Sequence, residues 1–237
     1  MDASGYVTLS RQSGLMREMQ VVANNVANAS TTGFRREGVV FAEHVVRTGA
    51  ESLSMAHARG RLTDPSQGML TPTGGALDLA IEGEGFFLVA TPEGERLTRA
   101  GALALSPEGN LVTHDGHALL DAGGAPVNVP PDAGPVSVGP DGVVSTPLGP
   151  VAQIGLVRPV APLAVTRQGG TLFDPGPEGF EPADEARLLQ GHLEASNVSP
   201  VAEMARMIDV QRAYELGQSF LDREDARMRA LIETMGG

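Results

Sequence analysis

The hydrophobic positions near the end of the chain repeat at alternating steps of three and four residues. Seven of the nine positions in this C-terminal series are apolar. The series consists of Met207, Val210, Tyr214, Gly217, Leu221, Glu224, Met228, Leu231 and Met235. Ser199 is a good N-cap, Pro200 suits the first helical position, and no proline follows. The pattern therefore predicts one helix from Pro200 to about Met235, ~54 Å long at 1.5 Å per residue.

A shorter series near the N-terminus has steps of four, three, four and three residues. Its members are Leu15, Met19, Val22, Val26 and Ala29. This heptad-like spacing predicts a helix that ends near Thr31-Thr32-Gly33, where glycine can adopt the left-handed cap conformation. A helix as long as the C-terminal one needs a partner to cover its apolar face, and this series offers the other candidate. We expect the two termini to pair as a coiled coil, within or between subunits.

Three asparagines, Asn24, Asn25 and Asn28, lie on the face of the N-terminal helix opposite this series. Asparagine has a low helix propensity, so three of them in the last turns are costly. Two interpretations remain open. The asparagines either belong to a fraying, hydrogen-bonded helix end, or they contact a neighbouring chain.

Proline divides the chain into two helical ends and a β-rich middle. Sixteen of the seventeen prolines lie between Pro65 and Pro182, and proline is excluded from helix interiors. Turn sequences such as Pro92-Glu93-Gly94 and Pro140-Asp141-Gly142 separate short apolar runs in this middle part, which is typical of antiparallel strands. The predicted fold class is α+β, with terminal helices forming a coiled-coil stalk and a central antiparallel β-rich body. We expect the N-terminal helix and an extended segment in residues 1–65, the body in 66–185 and the C-terminal helix in 186–237.

Composition narrows the choice of partners. The formal net charge of −12 disfavours binding to nucleic acid or to an anionic membrane, because both would repel most of the surface. The absence of cysteine excludes disulfides and thiolate metal sites. No apolar run reaches the ~20 residues that span a bilayer, and the first residues do not resemble a cleaved signal peptide. We expect the protein either to stay in the cytoplasm or to leave it by a route without a cleaved signal.

Little in the sequence suggests catalysis. His114 and His117 lie close together in a turn context, but they lack the helical spacing and the third ligand of a metal site. Gly83-Glu84-Gly85 precedes a strand-like run rather than a phosphate-binding helix. We expect no catalytic residues, no bound metal, no cofactor and no small-molecule substrate.

Three segments resemble the flagellar rod and hook protein family, and they occur in the order that this family has. The first segment runs from Ala23 to Arg35. The second begins at Gly83-Glu84-Gly85-Phe86-Phe87, continues through Leu97-Thr98-Arg99-Ala100-Gly101 and ends at Gly109-Asn110-Leu111. The third begins at Gly191-His192-Leu193-Glu194 and ends at Gln211-Arg212-Ala213-Tyr214-Glu215. Together they cover the two ends and the centre of the chain. The start Met1-Asp2 with Tyr6, and a length without room for the extra segments of hook proteins, are most similar to a proximal-rod member.

The resemblance implies a structural subunit of the basal-body rod that transmits torque. It implies other rod subunits and the flagellar type III export apparatus as partners, and a periplasmic rod location reached without a cleaved signal peptide. The terminal helices would line the rod and order as the subunit joins it. The implied assembly residues are Leu15, Met19, Val22, Asn24, Asn25, Val26 and Asn28 of the first helix, and Met207, Val210, Tyr214, Leu221, Met228 and Leu231 of the second.

Two alternatives accompany this interpretation. The first is a distal-rod member of the same family. The second is a cytoplasmic binding module that dimerises through a coiled coil and uses the β body as its ligand domain.

Overall fold

The computed structural model describes residues 3–48, 51–130 and 132–235; for residues 3–7, 41–48, 51–59, 231 and 235 it describes the backbone alone. Two long helices, α1 (Ala3–Ala27) and α2 (Pro200–Met235), lie at the ends of the chain. A short 3₁₀ turn covers Pro162–Ala164. The strands are β1 (Glu37–Thr48), β2 (Glu51–Thr63), β3 (Leu70–Pro72), β4 (Leu79–Glu82), β5 (Phe86–Thr91), β6 (Gly94–Thr98), β7 (Leu103–Leu105), β8 (Leu111–Thr113), β9 (Ala118–Leu119), β10 (Ser137–Val138), β11 (Val143–Thr146), β12 (Gly149–Gln153), β13 (Leu156–Pro159), β14 (Thr166–Gly169), β15 (Leu172–Asp174), β16 (Phe180–Pro182), β17 (Arg187–Gln190) and β18 (His192–Glu194).

The chain divides into two compact units. The first contains Met1–Ala27, Glu37–Leu62 and Ser199–Gly237, and the second contains Asn28–Arg36 and Thr63–Val198. The chain therefore passes from one unit to the other four times. We call the first the helical unit and the second the body.

In the helical unit, α1 and α2 pack against each other in opposite directions. The side chain of Gln12 contacts Tyr214, that of Glu18 contacts Arg206, and that of Asn25 contacts Glu203. Residue numbers rise along one helix as they fall along the other, so the pair is antiparallel. The predicted pairing of the two termini is confirmed, and it occurs within one chain. Strands β1 and β2 pair as a two-stranded sheet.

The first helix ends earlier than its apolar spacing predicted. Regular helix stops at Ala27, and a turn follows in which the Asn28 carbonyl accepts a hydrogen bond from the Thr31 N–H at 3.1 Å. The Asn28 side chain also accepts one from the Thr31 hydroxyl at 3.1 Å. These local bonds replace the next helical hydrogen bonds and turn the chain, which is how asparagine and threonine compete with helix. Gly33 has a left-handed φ of 70°, but it lies beyond this turn and does not cap the helix.

The body is antiparallel throughout its described strand pairs, as predicted. Its largest sheet runs in the order β14-β15-β6-β5-β9-β8-β7, with β13 joined to β5 and β16. Strands β10, β11 and β12 form a small sheet, while β17 pairs with β4 and β18 with β3. The predicted turn at Pro92-Glu93-Gly94 closes the β5–β6 hairpin, where Thr91 lies opposite Gly94.

Strand β5 supplies side chains to two apolar clusters because successive residues point to opposite faces of a sheet. Phe87 and Val89 belong to the larger cluster, and Leu88 belongs to the smaller one with Leu97 and Phe173. The larger cluster also contains Leu79, Ile81, Leu111, Leu119, Val144, Ile154 and Leu188. A strand buried on both faces explains the continuous apolar run that the sequence has here.

Replacing Phe87 by alanine should unfold the body at lower denaturant concentration. Its ring is fully buried, at 0% exposure, and truncating a buried phenylalanine costs about 3–5 kcal/mol. The measurement is urea unfolding of the purified chain followed by circular dichroism. Leu148→Ala is the matched control because Leu148 is 81% exposed. Equal midpoints for the two variants would contradict the position of Phe87 in the core.

Candidate functional site

A buried cluster in the body brings together residues from three distant parts of the sequence. Arg35 follows α1, Arg99 follows β6, and Glu194 ends β18. The three side chains are 2%, 3% and 1% exposed, respectively. One carboxylate oxygen of Glu194 lies 2.9 Å from Arg35 Nη2, and the other accepts a hydrogen bond of 3.1 Å from Arg99 Nη1. We call this cluster the arginine–glutamate junction.

Backbone groups of the body form hydrogen bonds with all three side chains of the junction. Arg99 donates to the carbonyls of Ile81 at 3.2 Å and Gly83 at 2.7 Å. Arg35 donates to the Pro65 carbonyl at 3.2 Å, and Glu194 accepts from the Gly68 N–H at 3.0 Å. Most of the polar atoms therefore have partners, which a buried ionic group requires to offset its lost hydration.

The junction carries two positive charges and one negative charge. Burial lowers the pKa of Arg99 to about 10, while the Glu194 carboxylate opposes this shift. Burial likewise lowers the pKa of Arg35, and Glu194 and Asp64 oppose it. A guanidinium with a pKa of about 10 is protonated at neutral pH, so Glu194 compensates two buried cations at once.

Arg167 fixes the neighbouring Phe34 by stacking between two aromatic rings. Its guanidinium carbon lies 4.2 Å from the ring centroid of Phe34 and 4.6 Å from that of Phe173. It also donates a hydrogen bond to the carbonyl of Arg35. Such a cation–π arrangement is favourable at this distance, and it attaches the segment after α1 to strand β15.

Gly33 lets this segment approach the strand end that carries Arg99. Its N–H donates to the Glu194 carbonyl at 2.8 Å. A Cβ atom on Gly33 would collide with the backbone of Arg99 and Ala100. Only glycine fits a site with both this close approach and the left-handed φ.

Asn197 connects the chain segments that lead out of the body. Its side-chain oxygen accepts a 2.6 Å hydrogen bond from the Arg36 N–H, and its amide donates to the Ser66 carbonyl at 2.8 Å. The Asp64 N–H donates to the Arg36 carbonyl at 2.8 Å. Three of the four passages of the chain between the units thus begin, on the body side, within a few residues of these hydrogen bonds.

Asn25 plays a comparable role inside the helical unit. Its side chain is fully buried. Its amide donates to the Glu37 carbonyl at 2.8 Å and to the Glu203 carboxylate at 3.1 Å, and its oxygen accepts from the Glu37 N–H at 3.0 Å. One amide therefore joins α1 to the first residue of β1 and the first turn of α2. The interpretation as a hydrogen-bonded helix end describes Asn28, which bonds Thr31, whereas neither interpretation placed the partners of Asn25 in β1 and α2.

The proposed assembly residues lie mainly along the facing sides of the helix pair. Val22, Asn25 and Val210 are buried; Leu15, Met19, Asn24, Val26, Asn28, Met207, Tyr214 and Leu221 are half-buried; and Met228 is exposed. The side chain of Leu231 lies outside the described residues. Their contact with a neighbouring subunit stays a prediction.

The junction residues lie within the three family-like segments, but no sequence pattern marks them as a site. The available signal was a charged residue directly next to apolar strand residues, as in Leu97-Thr98-Arg99 and Leu193-Glu194. The polar contacts between the helices, made by Gln12, Glu18 and Arg206, were also missed.

Within the described residues, no group of three or more histidine, cysteine or carboxylate side chains is arranged to hold a metal ion. His114 and His117 remain in the turn after β8. Among the residues that the structure describes, no helix is both long and apolar enough to cross a membrane.

Comparison with known proteins gives three family matches that together include both ends and the centre of the chain. Residues 6–35 match the flagella basal body rod protein family, residues 80–146 match the D1 domain of the flagellar hook protein FlgE/F/G, and residues 189–234 match the C-terminal domain of flagellar basal body rod FlgEFG proteins. Arg35, Arg99 and Glu194 fall one in each of the three matches.

Full-length relatives agree with these matches. The flagellar basal-body rod protein FlgF of Caulobacter vibrioides is 41% identical over the whole chain and 99% of its own length. FlgF of Mesorhizobium japonicum is 37% identical with the same coverage. The rod protein FlgG of Bacillus subtilis is 29% identical over 96% of the chain and 97% of its own length.

Replacing Glu194 by glutamine should strongly destabilise the body. The change keeps the side-chain shape but removes the one carboxylate charge that contacts both buried guanidinium groups, and breaking a buried pair in this way costs about 3–5 kcal/mol. Urea unfolding of the purified chain measures the loss. Glu181→Gln is the control, because Glu181 pairs with Arg158 in an ion pair that is about half exposed on both sides. Exposed pairs contribute about 0–1 kcal/mol; a loss of that size at Glu194 would show that the junction does not depend on its charge.

Replacing Asn25 by alanine should destabilise the helical unit although alanine is the better helix former. The lost amide leaves buried groups of Glu37 and Glu203 with one partner fewer, at a cost of about 1–3 kcal/mol. The gain in helix propensity is only a few tenths of a kcal/mol. Thermal unfolding followed at the helical circular dichroism band measures the difference. Gln20→Ala, at an exposed position of the same helix, serves as the control, and an Asn25→Ala variant more stable than it would contradict the Asn25 contacts.

Proposed function

The chain belongs to the flagellar basal-body rod protein family, and on that premise we propose that it is the FlgF-type subunit of the proximal rod. It is a structural rod subunit, and its family is non-enzymatic. The FlgF relatives are more similar to the chain than the FlgG relative and are matched over nearly their whole length. This difference favours the proximal-rod assignment over the distal-rod alternative.

One observation carries the structural role. The three segments that match the family meet at the arginine–glutamate junction, where their charged side chains bind one another and the body backbone. In an enzyme, charged groups must face a substrate, whereas these face inward and are almost wholly buried. The residues that identify the family here therefore stabilise the body.

We propose that the subunit assembles through the paired helices. The half-buried residues along α1 and α2 support such contacts between subunits, because a side chain that is partly exposed in one chain can bury its remaining surface against a neighbour. Residues 1–65 and 186–237 would form the shaft, and residues 66–185 its outer part. The helix of ~54 Å suits a shaft that resists torsion, since it spans several subunit contacts.

Other rod subunits are partners that follow from the family, whereas the export apparatus is a proposed partner. Assembly with other rod subunits is a property of this family. We propose that the flagellar type III export apparatus delivers the chain without a cleaved signal peptide to the periplasmic part of the basal body. The coupled ordering of α1 and α2 on assembly would allow the chain to travel unfolded.

Replacing Leu221 by aspartate should prevent incorporation into the rod while leaving the body folded. Leu221 is half-buried in the apolar series of α2, and a carboxylate there must give up hydration to pack. The readouts are swimming and the yield of basal bodies in a strain that expresses only the variant. Secretion is checked separately, and circular dichroism of the purified chain checks the fold.

The control for this test is Glu108→Gln, on an exposed turn of the body, which should leave swimming unchanged. A motile Leu221→Asp strain would show that this face of α2 is not an assembly surface.

A further inference from the structure

A groove of about 390 Å³ lies between α1 and α2, within the helical unit. Its apolar walls include Leu15, Leu216 and Phe220, and its polar lining includes Arg11 and Gln12. Leu216 and Phe220 are 70% and 41% exposed. The lining residues extend over eight positions of each helix, from Thr8 to Leu15 and from Ala213 to Phe220, or ~10 Å along the helix axis.

Gln12, which lines this groove, carries a buried acceptor without a donor in the described part of the chain. The residue is only 7% exposed, and its amide nitrogen donates to the Tyr214 carbonyl at 2.9 Å. Its oxygen, Oε1, is buried and accepts no hydrogen bond from the described residues. Gly217 makes room for this side chain, since a Cβ atom there would collide with the Gln12 amide. A buried acceptor without a donor costs about 1–3 kcal/mol, so the groove favours an occupant that brings an N–H or O–H group.

A ridge on another face of α2 has the complementary chemistry. Met204, Ile208, Gln211 and Glu215 follow at steps of four, three and four residues, which places them in one line on a helix. Met204 and Ile208 are 56% and 50% exposed, and Gln211 and Glu215 are also exposed. The line therefore offers two apolar side chains, then an amide donor, then a carboxylate. The distance from Ile208 to Glu215 along the axis is ~10 Å, equal to the length of the groove.

We propose that the groove of one copy receives this α2 ridge of a second copy of the same chain. Ile208 packs against the apolar wall, the Gln211 amide donates to Gln12 Oε1, and Glu215 pairs with Arg11. Gln211 already donates to Glu215 at 3.1 Å, and its second N–H serves the new contact. The inference deepens the proposed function, because it assigns the two faces through which rod subunits meet.

Charge and symmetry both support a second copy as the occupant. Copies with a net charge of −12 repel one another, so a contact between them needs local attraction such as Arg11 with Glu215. The groove and the ridge are different surfaces, which makes the contact heterologous. A heterologous contact that does not close on itself produces an open helical assembly, the geometry that a shaft needs.

The first test is a charge-reversal cycle on the full chain. Arg11→Glu and Glu215→Arg should each weaken self-association roughly three- to tenfold, and the double variant should restore it, because the reversed charges pair again. Sedimentation velocity over a range of concentrations measures the association, and circular dichroism confirms that each variant is folded. Single losses without recovery in the double variant would overturn the proposed pair.

The second test uses the absence of cysteine in the natural chain. A mixture of a Leu216→Cys variant and an Ile208→Cys variant should form a disulfide-linked dimer under mild oxidation. Leu216→Cys with Ala205→Cys is the control, since Ala205 is exposed on α2 but lies off the line of the ridge. Equal cross-linking of the two mixtures would overturn the proposal. If the Leu221→Asp variant still fails to enter the rod, the proposed function stands even then.

Discussion

Glu194 is the counter-ion shared by two guanidinium groups in an almost wholly buried part of the body, and the surrounding structure depends on that contact. Moving an unpaired guanidinium into such a site is strongly unfavourable, so Arg35 and Arg99 can be buried only if the carboxylate arrives with them. The carboxylate is carried by β18, the last strand before α2. The positions of the segment after α1, of β6 and of β18 are therefore determined together. Their common position also sets the close approach of Gly33 to the Arg99 backbone and the stacking of Arg167 on Phe34.

The helix pair follows a different principle, because few of its side chains are fully buried. Val21, Val22 and Val210 are the main buried apolar residues of this pair within the described part of the chain. Gln12, Glu18 and Asn25 each make a polar contact to α2 at a defined level. Apolar packing tolerates a shift by one turn, but these polar contacts do not, since a shift would leave buried groups unpaired. Polar pairs thus determine the register, while the sparse apolar seam leaves area for neighbours.

The sequence predicted the elements whose signals are local. The N-cap at Ser199, the proline at position 200 and the apolar spacing correctly bounded α2, and the turn at Pro92-Glu93-Gly94 correctly placed a hairpin. The junction could not be predicted in this way, because nothing within a window of ten or twenty residues shows that Arg99 will meet Glu194. The same holds for Asn25, which looked like a weak helix residue until its partners in β1 and α2 were visible. An extended segment was expected within residues 1–65, but its pairing into the β1–β2 ribbon was missed, although Val39-Val40-Phe41 and Val45-Val46 carry strand propensity.

The separation of the junction residues along the chain also has a kinetic consequence. Arg99 and Glu194 are 95 residues apart, and the Arg36 contact to Asn197 spans 161. The hairpin of β5 and β6, by contrast, joins neighbours. Contacts between distant residues close large loops and raise the contact order, which slows folding. Local hairpins should form first, and the body should reach its final state only when residues near position 194 have joined those near position 35. A chain whose last-formed contacts join residues near positions 35 and 194 stays open for longer after synthesis than one held by local hairpins alone.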